Sequence, residues 1–176
     1  SFLVKKRNIV LIIIFFLGGL SLNSCAFFDD NKRQAKDIEF YKNSANERNL
    51  IDYKGKIKDY TKALSIQSSD NELKSELYSM RAISKGNIGD YQGQIEDFLK
   101  AIEFNPKGKN IHNIYAEMAR IKQSELKDYN GAIRDYSNAL NNNLVNDKYF
   151  LIYLRKRALL KTKIKDYKGA IDDYSL

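Results

Sequence analysis

The sequence predicts an all-α array of stacked helix hairpins, on three observations. The stretch from Asp52 to Leu64 recurs from Asp90, from Asp128 and, shortened, from Asp166, a constant step of 38 residues. A fixed step in this range is the signature of a repeat array. The apolar residues of the first copy, Tyr53, Ile57, Tyr60 and Leu64, fall at i, i+4, i+7 and i+11, one face of a helix. About 25 residues separate the copies, room for a turn and a second helix. One such hairpin cannot bury its apolar face, whereas stacked hairpins can. No stretch alternates polar and apolar residues, so no sheet is expected.

Residues 1–24 read as a signal peptide. Lys5, Lys6 and Arg7 precede the apolar run Ile9–Leu17, softened by Gly18 and Gly19, and Leu22-Asn23-Ser24-Cys25 follows. Ile9 to Leu22 makes roughly 21 Å of helix, short of the about 30 Å of a bilayer core, which argues against an uncleaved span. The ending resembles the bacterial lipobox, with Leu22, Ser24 and Cys25 matching and Asn23 a less usual filler. That resemblance implies cleavage before Cys25 and a lipid-modified cysteine that attaches the chain to a membrane. Cys25 is the only cysteine, and an unpaired cysteine in an exported chain asks for such a role. Residues 25–36, with Asp29, Asp30, Lys32, Arg33 and Gln34, read as a polar, lipidated tether.

The array is expected over residues 37–176. Asp37–Asn49 is its weakest helix, carrying the poor helix formers Asn43, Ser44, Asn46 and Asn49. In each copy the aspartate stands where it can accept from the free N–H groups of the first turn. Gly55, Gly93, Gly131 and Gly169 take four of the nine glycines, and their common register points to close backbone approach to a neighbouring helix. Twelve residues before each aspartate stand Phe40, Tyr78, Ala116 and Leu154, and two before stand Leu50, Ile88, Leu126 and Ile164. Ser68–Asn71, Asn105–Gly108 and Asn141–Asn143 punctuate the units. Leu176 falls inside a motif, which reads as part of a longer chain.

The run from Tyr78 to Ile102, with Gly89-Asp90-Tyr91 at its turn and Pro106 beyond it, resembles the tetratricopeptide repeat. The resemblance implies a right-handed α-solenoid of about four units, the last truncated, whose first helices line a concave peptide-binding groove. The step departs from the family's 34 residues, Lys56 and Gln94 replace a preferred alanine, and Arg120 replaces a preferred small residue. Counted back from each aspartate, the groove candidates are Tyr41, Ala45, Arg48 and Asn49 in unit one, and Ser79, Ile83 and Asn87 in unit two. They are Glu117, Ile121, Ser124 and Glu125 in unit three, and Arg155, Leu159, Thr162 and Lys163 in unit four. These sets lack the repeated Lys/Asn/Arg pattern of the family's carboxylate clamp.

Composition narrows the function. Loss of Lys5, Lys6 and Arg7 with the leader lowers the formal charge from +8 to +5, with lysines dispersed among acids, a solvated surface rather than a nucleic-acid groove. The single histidine, His112, has no cysteine near it and reads as a solvated helix-start residue rather than a base or metal ligand. Asp59, Asp97, Asp135 and Asp173 recur at the register of a helix surface and read as scaffold charges. No phosphate loop or nucleophile motif is present. The expectation is a non-enzymatic, lipid-anchored scaffold without cofactor or metal, binding a protein or peptide at the bacterial cell envelope. The alternative is a repeat arm of a longer chain bearing a further domain.

Overall fold

The computed structural model describes residues 28–143 and 148–175. Among them run eight α-helices and no strand: α1 (28–47), α2 (Tyr53–Ser65), α3 (Asn71–Asn87), α4 (Tyr91–Phe104), α5 (Ile111–Ser124), α6 (Tyr129–Asn141), α7 (Lys148–Lys163) and α8 (Tyr167–Tyr174). They pair as consecutive hairpins, α1 with α2 through α7 with α8, stacked in a tetratricopeptide-like α-solenoid. The leader and Cys25 lie outside the described residues. Residues 28–36, expected as tether, are helical and continuous with α1. Lys32, Arg33, Gln34, Ala35 and Lys36 are good helix formers with no glycine or proline among them.

Each second helix starts on its aspartate. The carboxylates of Asp52, Asp90, Asp128 and Asp166 accept from the backbone N–H of Gly55, Gly93, Gly131 and Gly169 at 2.9, 2.9, 2.8 and 3.0 Å. The other carboxylate oxygen then lies where a Cβ on that glycine would stand. The close approach that fixes the glycine is therefore made by the helix's own cap, not by a neighbouring helix as its register implied.

The first helices are organised on a small residue. Ala45, Ala82, Ala119 and Ala158 are wholly enclosed. They follow one another at 37, 37 and 39 residues, while the capping aspartates keep 38. The hairpin turn takes up the difference: alanine to aspartate spans 7, 8, 9 and 8 residues. Four residues before the alanines stand Tyr41, Tyr78, Tyr115 and Leu154. Phe40 and Ala116, the positions given by a fixed count from the aspartate, miss this register, and Phe40 is 68 % exposed. The small residue of unit three is likewise Ala119, and Arg120 beside it points outward to a bidentate pair with Glu117.

Buried ion pairs clamp the two helices of each hairpin. Asp59, Asp97, Asp135 and Asp173 are buried, not surface charges, and each meets the cation three residues after the alanine of its own unit. These pairs are Arg48–Asp59 at 2.7 Å, Lys85–Asp97 at 3.0 Å, Lys122–Asp135 at 2.7 Å and Lys161–Asp173 at 3.0 Å. Units two and four add Arg81 and Arg157, each holding both carboxylate oxygens. Unit three has Met118 at that position, buried, so Lys122 alone faces Asp135.

The carboxyls respond accordingly. The Arg48 hydrogen bond, helped by Ser44, holds Asp59 below the usual carboxylate range against its burial. Burial pushes Asp173 up, but the bonds from Arg157 and Lys161 outweigh it and leave it lowered. At Asp135 burial prevails over Lys122 and the carboxyl is raised.

Between hairpins apolar clusters carry the core, with a few polar contacts such as Arg81 to Thr61 and Arg157 to Ser137 at their edge. Tyr60 and Ala63 share a buried cluster with Leu77 of α3, and Phe98 and Ile95 with Met118 and Ile121 of α5. Tyr136, Ala139 and Leu140 share one with Tyr153 and Leu154 of α7. Burial pushes the Tyr136 phenol up to about 12. The weak first helix turns out to use its poor formers: Ser44 donates to Asp59 at 2.8 Å, and Asn46 accepts from Tyr60 Oη at 2.8 Å.

Candidate peptide-binding groove

Consecutive first helices place α3, α5 and α7 side by side around an open cavity of ≈ 1550 Å³. In all three the residue six before the buried alanine faces it: Glu76, Asn113 and Ile152. Around these lie Glu72, Ser79, Ile83, Asn87, Ile114, Glu117, Arg120, Tyr149 and Lys156. The α4–α5 connection adds Asn105, Lys107, Lys109 and Asn110, so one end of the groove is built by a turn between units.

Its charges are partly settled within the chain. Lys42 of α1 pairs with Glu76 at 2.9 Å and Arg120 with Glu117 at 2.6 Å. Ile83 and Ile152 remain 55 % and 45 % exposed, aliphatic surface set among hydrogen-bonding side chains. The arrangement suits a ligand that buries apolar side chains while its backbone meets Glu72 and the remaining amide groups of Asn87 and Asn113, whose other bonds run to Ile83 O and from Tyr153 Oη.

Of the residues expected here, Ser79, Ile83, Asn87, Glu117 and Glu125 line the cavity. Ala45 and Ile121 do not: both are wholly buried, Ala45 as the alanine of unit one and Ile121 in the core with Phe98. Their displacement follows from turns one residue shorter and one longer than in unit two. Tyr41 packs against the first core cluster under Lys62, whose ammonium lies 5.2 Å from the ring centre. Arg48 is committed to Asp52 and Asp59, and Asn49 belongs to the turn. Ser124 donates back to Arg120 O at 2.8 Å. Arg155, Leu159, Thr162 and Lys163 are exposed on α7 outside the cavity lining, with Lys163 4.2 Å above the Tyr129 ring.

Glu72, Glu76, Asn113, Tyr149, Ile152, Lys156 and the Lys107–Asn110 turn escaped the sequence reading. Counting from the Tyr-x-x-x-Ala and Leu-x-x-x-Ala pairs instead of from the aspartates would have found Glu76, Asn113 and Ile152. His112 is buried rather than solvated: its Nδ1 lies 3.1 Å from Tyr153 Oη, and that hydroxyl also donates to Asn113 Oδ1 at 3.0 Å. Among the described residues no group of three or more His, Cys, Asp or Glu could hold a metal ion. No described helix is long and apolar enough to cross a membrane.

The sequence matches no family model and no curated protein. The fold has solved relatives. The chain is similar to BtubC from P. vanneervenii, with a TM-score of 0.59 and 15% identity over 85% of this chain and 71% of that one. It is similar to the Hsp90 co-chaperone Cns1 from Saccharomyces cerevisiae, with a TM-score of 0.61 and 22% identity over 81% of this chain. The match covers 44% of the Cns1 chain. It is similar to MamA, with a TM-score of 0.52 and 15% identity over 83% of this chain and 94% of that one. At these identities the likeness is one of architecture: helix-hairpin repeats stacked consecutively.

Proposed function

We propose that this protein is a repeat scaffold that holds a peptide segment of another protein in the groove of α3, α5 and α7. The observation that carries the reading is the continuous cavity of ≈ 1550 Å³ lined by three successive first helices, with Ile83 and Ile152 open in it. The similarity to a co-chaperone supports it as analogy of fold. A photo-crosslinker at Ile152 should capture the partner, and one at Leu99 on α4 should not. Once the partner is known, Ile83→Asp with Ile152→Asp should weaken binding at least tenfold while the melting temperature stays within about 3 °C, since both side chains are half exposed. Binding unchanged by the pair would move the interface off the groove.

The sequence ending in Leu22-Asn23-Ser24-Cys25 supports a second element of the same proposal, attachment by lipid on Cys25 at a bacterial envelope. Two or three acyl chains anchor stably where one is marginal. Labelled palmitate should enter the wild-type protein and not Cys25→Ala; label retained in Cys25→Ala refutes the attachment.

A further inference from the structure

The three junctions between units are not built alike. Unit two is tied to unit one by the Lys42–Glu76 pair at 2.9 Å and by Arg81, which donates to Thr61 Oγ1 at 3.1 Å. Unit four is tied to unit three by Arg157, which donates to Ser137 Oγ at 3.0 Å, and by Tyr153 Oη, which donates to Asn113 Oδ1 at 3.0 Å. Lys163 adds its ammonium over the Tyr129 ring. Among the described residues no hydrogen bond, ion pair or ring contact crosses from unit two to unit three. That junction is held by Ile95 and Phe98 of α4 against Met118 and Ile121 of α5.

Two positions account for the difference. Thr61 and Ser137 stand nine residues after their capping aspartates, and Arg81 and Arg157 stand one before their buried alanines. At the middle junction these positions are Leu99 and Met118. The connection from α4 to α5 bonds only within itself: Gly108 N donates to Asn105 O and Ile111 N to Gly108 O, both at 3.1 Å. Hydrogen bonds hold a direction. Apolar contact is non-directional and lets packed helices slide.

The groove runs across this junction. Ser79 and Ile83 of its wall belong to unit two, Asn113 to unit three and Ile152 to unit four. It also reaches Gln94 and Phe98 of α4, on unit two's side of the junction. We propose that the groove is a two-jaw clamp that opens by shear between α4 and α5. Units one and two form one jaw, and units three and four the other. Sliding Phe98 over Met118 and Ile121 shifts α3 against α5 and changes the width between them. The use of this motion rests on the peptide-binding reading; its existence does not.

Spin-label pairs read the motion by pulsed electron resonance in the full chain carrying Cys25→Ala, so that only introduced cysteines take the label. Lys54→Cys with Lys100→Cys spans the first junction, and Gln92→Cys with Asn138→Cys spans the middle one at the same register. All four sites are exposed on second helices and lie outside the groove lining. The middle pair should give a distance distribution about twofold broader than the first pair, the modest spread of a shear. Leu99→Ser with Met118→Arg grafts the tie of the third junction onto the middle one, where the arginine also faces Asp135 as Arg81 faces Asp97. This double variant should narrow the middle distribution to the width of the first. Equal widths before any change in the core overturn the proposal. A folded double variant whose middle pair stays broad overturns it as well. A rigid junction would leave capture of a peptide at Ile152 untouched, so the two readings fail separately.

Discussion

Arg81 holds Asp97 by two parallel bonds, Nε to Oδ2 and one terminal nitrogen to Oδ1, both 2.8 Å. The arginine comes from α3 and the aspartate from α4, so the pair ties a hairpin shut from inside. Removing one partner of a buried pair leaves the other uncompensated, typically at 3–5 kcal/mol. Asp97→Asn should therefore destabilise by about 3 kcal/mol. Asp135→Asn, which loses only Lys122 and removes a carboxyl that burial already disfavours as a charge, should cost less than Asp97→Asn. Urea unfolding of the two variants measures the contrast, and equal losses would mean that the arginine adds nothing.

Opposite pH dependences follow at Asp59 and Asp135. Asp59 is held below its ordinary value, first by Arg48. Its stabilisation is full above the unfolded carboxylate pKa of about 3.9 and is lost as pH falls through the lower folded value. The melting temperatures of wild type and Asp59→Asn should thus differ at pH 7 and converge in acid. Asp135 is raised by burial, so its favourable contribution is complete below about 3.9 and is lost as pH rises through the folded value. Asp135→Asn should gain on wild type between pH 4 and pH 7. Parallel melting curves for both variants would contradict the assignment.

Gln94 stands where the third and fourth copies carry Ala132 and Ala170, and its carboxamide occupies the space in front of Gly86. A Cβ on Gly86 would collide with it, and Gln94 Oε1 is buried without a hydrogen-bond partner. Gly86→Ala alone should gain less than alanine ordinarily does in a helix, because the Gln94 carboxamide must first move aside. In a Gln94→Ala background the same change should stabilise by about 1 kcal/mol, as alanine does in a helix. A double-mutant cycle in guanidinium reads the coupling, and additivity would show that the two positions do not share that space.

Two turns carry a lysine where the backbone favours glycine. Lys127 and Lys165 have φ of 57° and 66°, the left-handed region that Gly89 fills in unit two with φ 80°. A side chain there costs about 1 kcal/mol. Lys127→Gly should raise the melting temperature by about 2–4 °C and Gly89→Ala should lower it by as much. No rise in Lys127→Gly would mean that Lys127 Nζ, which bonds Ser124 O, offsets the strain.

The second helices were readable because their signals are local. Cap, glycine and apolar stripe all fall within thirteen residues of one another, as from Asp52 to Leu64. The first helices were not, because their register is set against the second helix across a turn of variable length. Arg48 and Asp59 are 11 residues apart, Lys85 and Asp97 12, and Lys122 and Asp135 13. No fixed count finds all three pairs, so the aspartates read as surface charges. The burial of His112 was hidden for a related reason: its cover, Tyr153, lies 41 residues away in another unit. Of the groove, the register from Ser79 to Asn87 was legible, where unit two's turn matches the assumed length. Units one and three slipped by one residue, enough to carry Ala45 and Ile121 into the core.

The uneven turn has a mechanical sense. One residue more or less would spin a helix by about 100° if it propagated, and every groove side chain beyond it would face elsewhere. Here the extra residue of unit three is spent between Ala119 and Asp128, and the deficit of unit one between Ala45 and Asp52. Each hairpin bend therefore acts as a slip joint. The capping aspartates keep time along the stack, the enclosed alanines keep time across it, and a length change in one hairpin leaves its neighbours in phase.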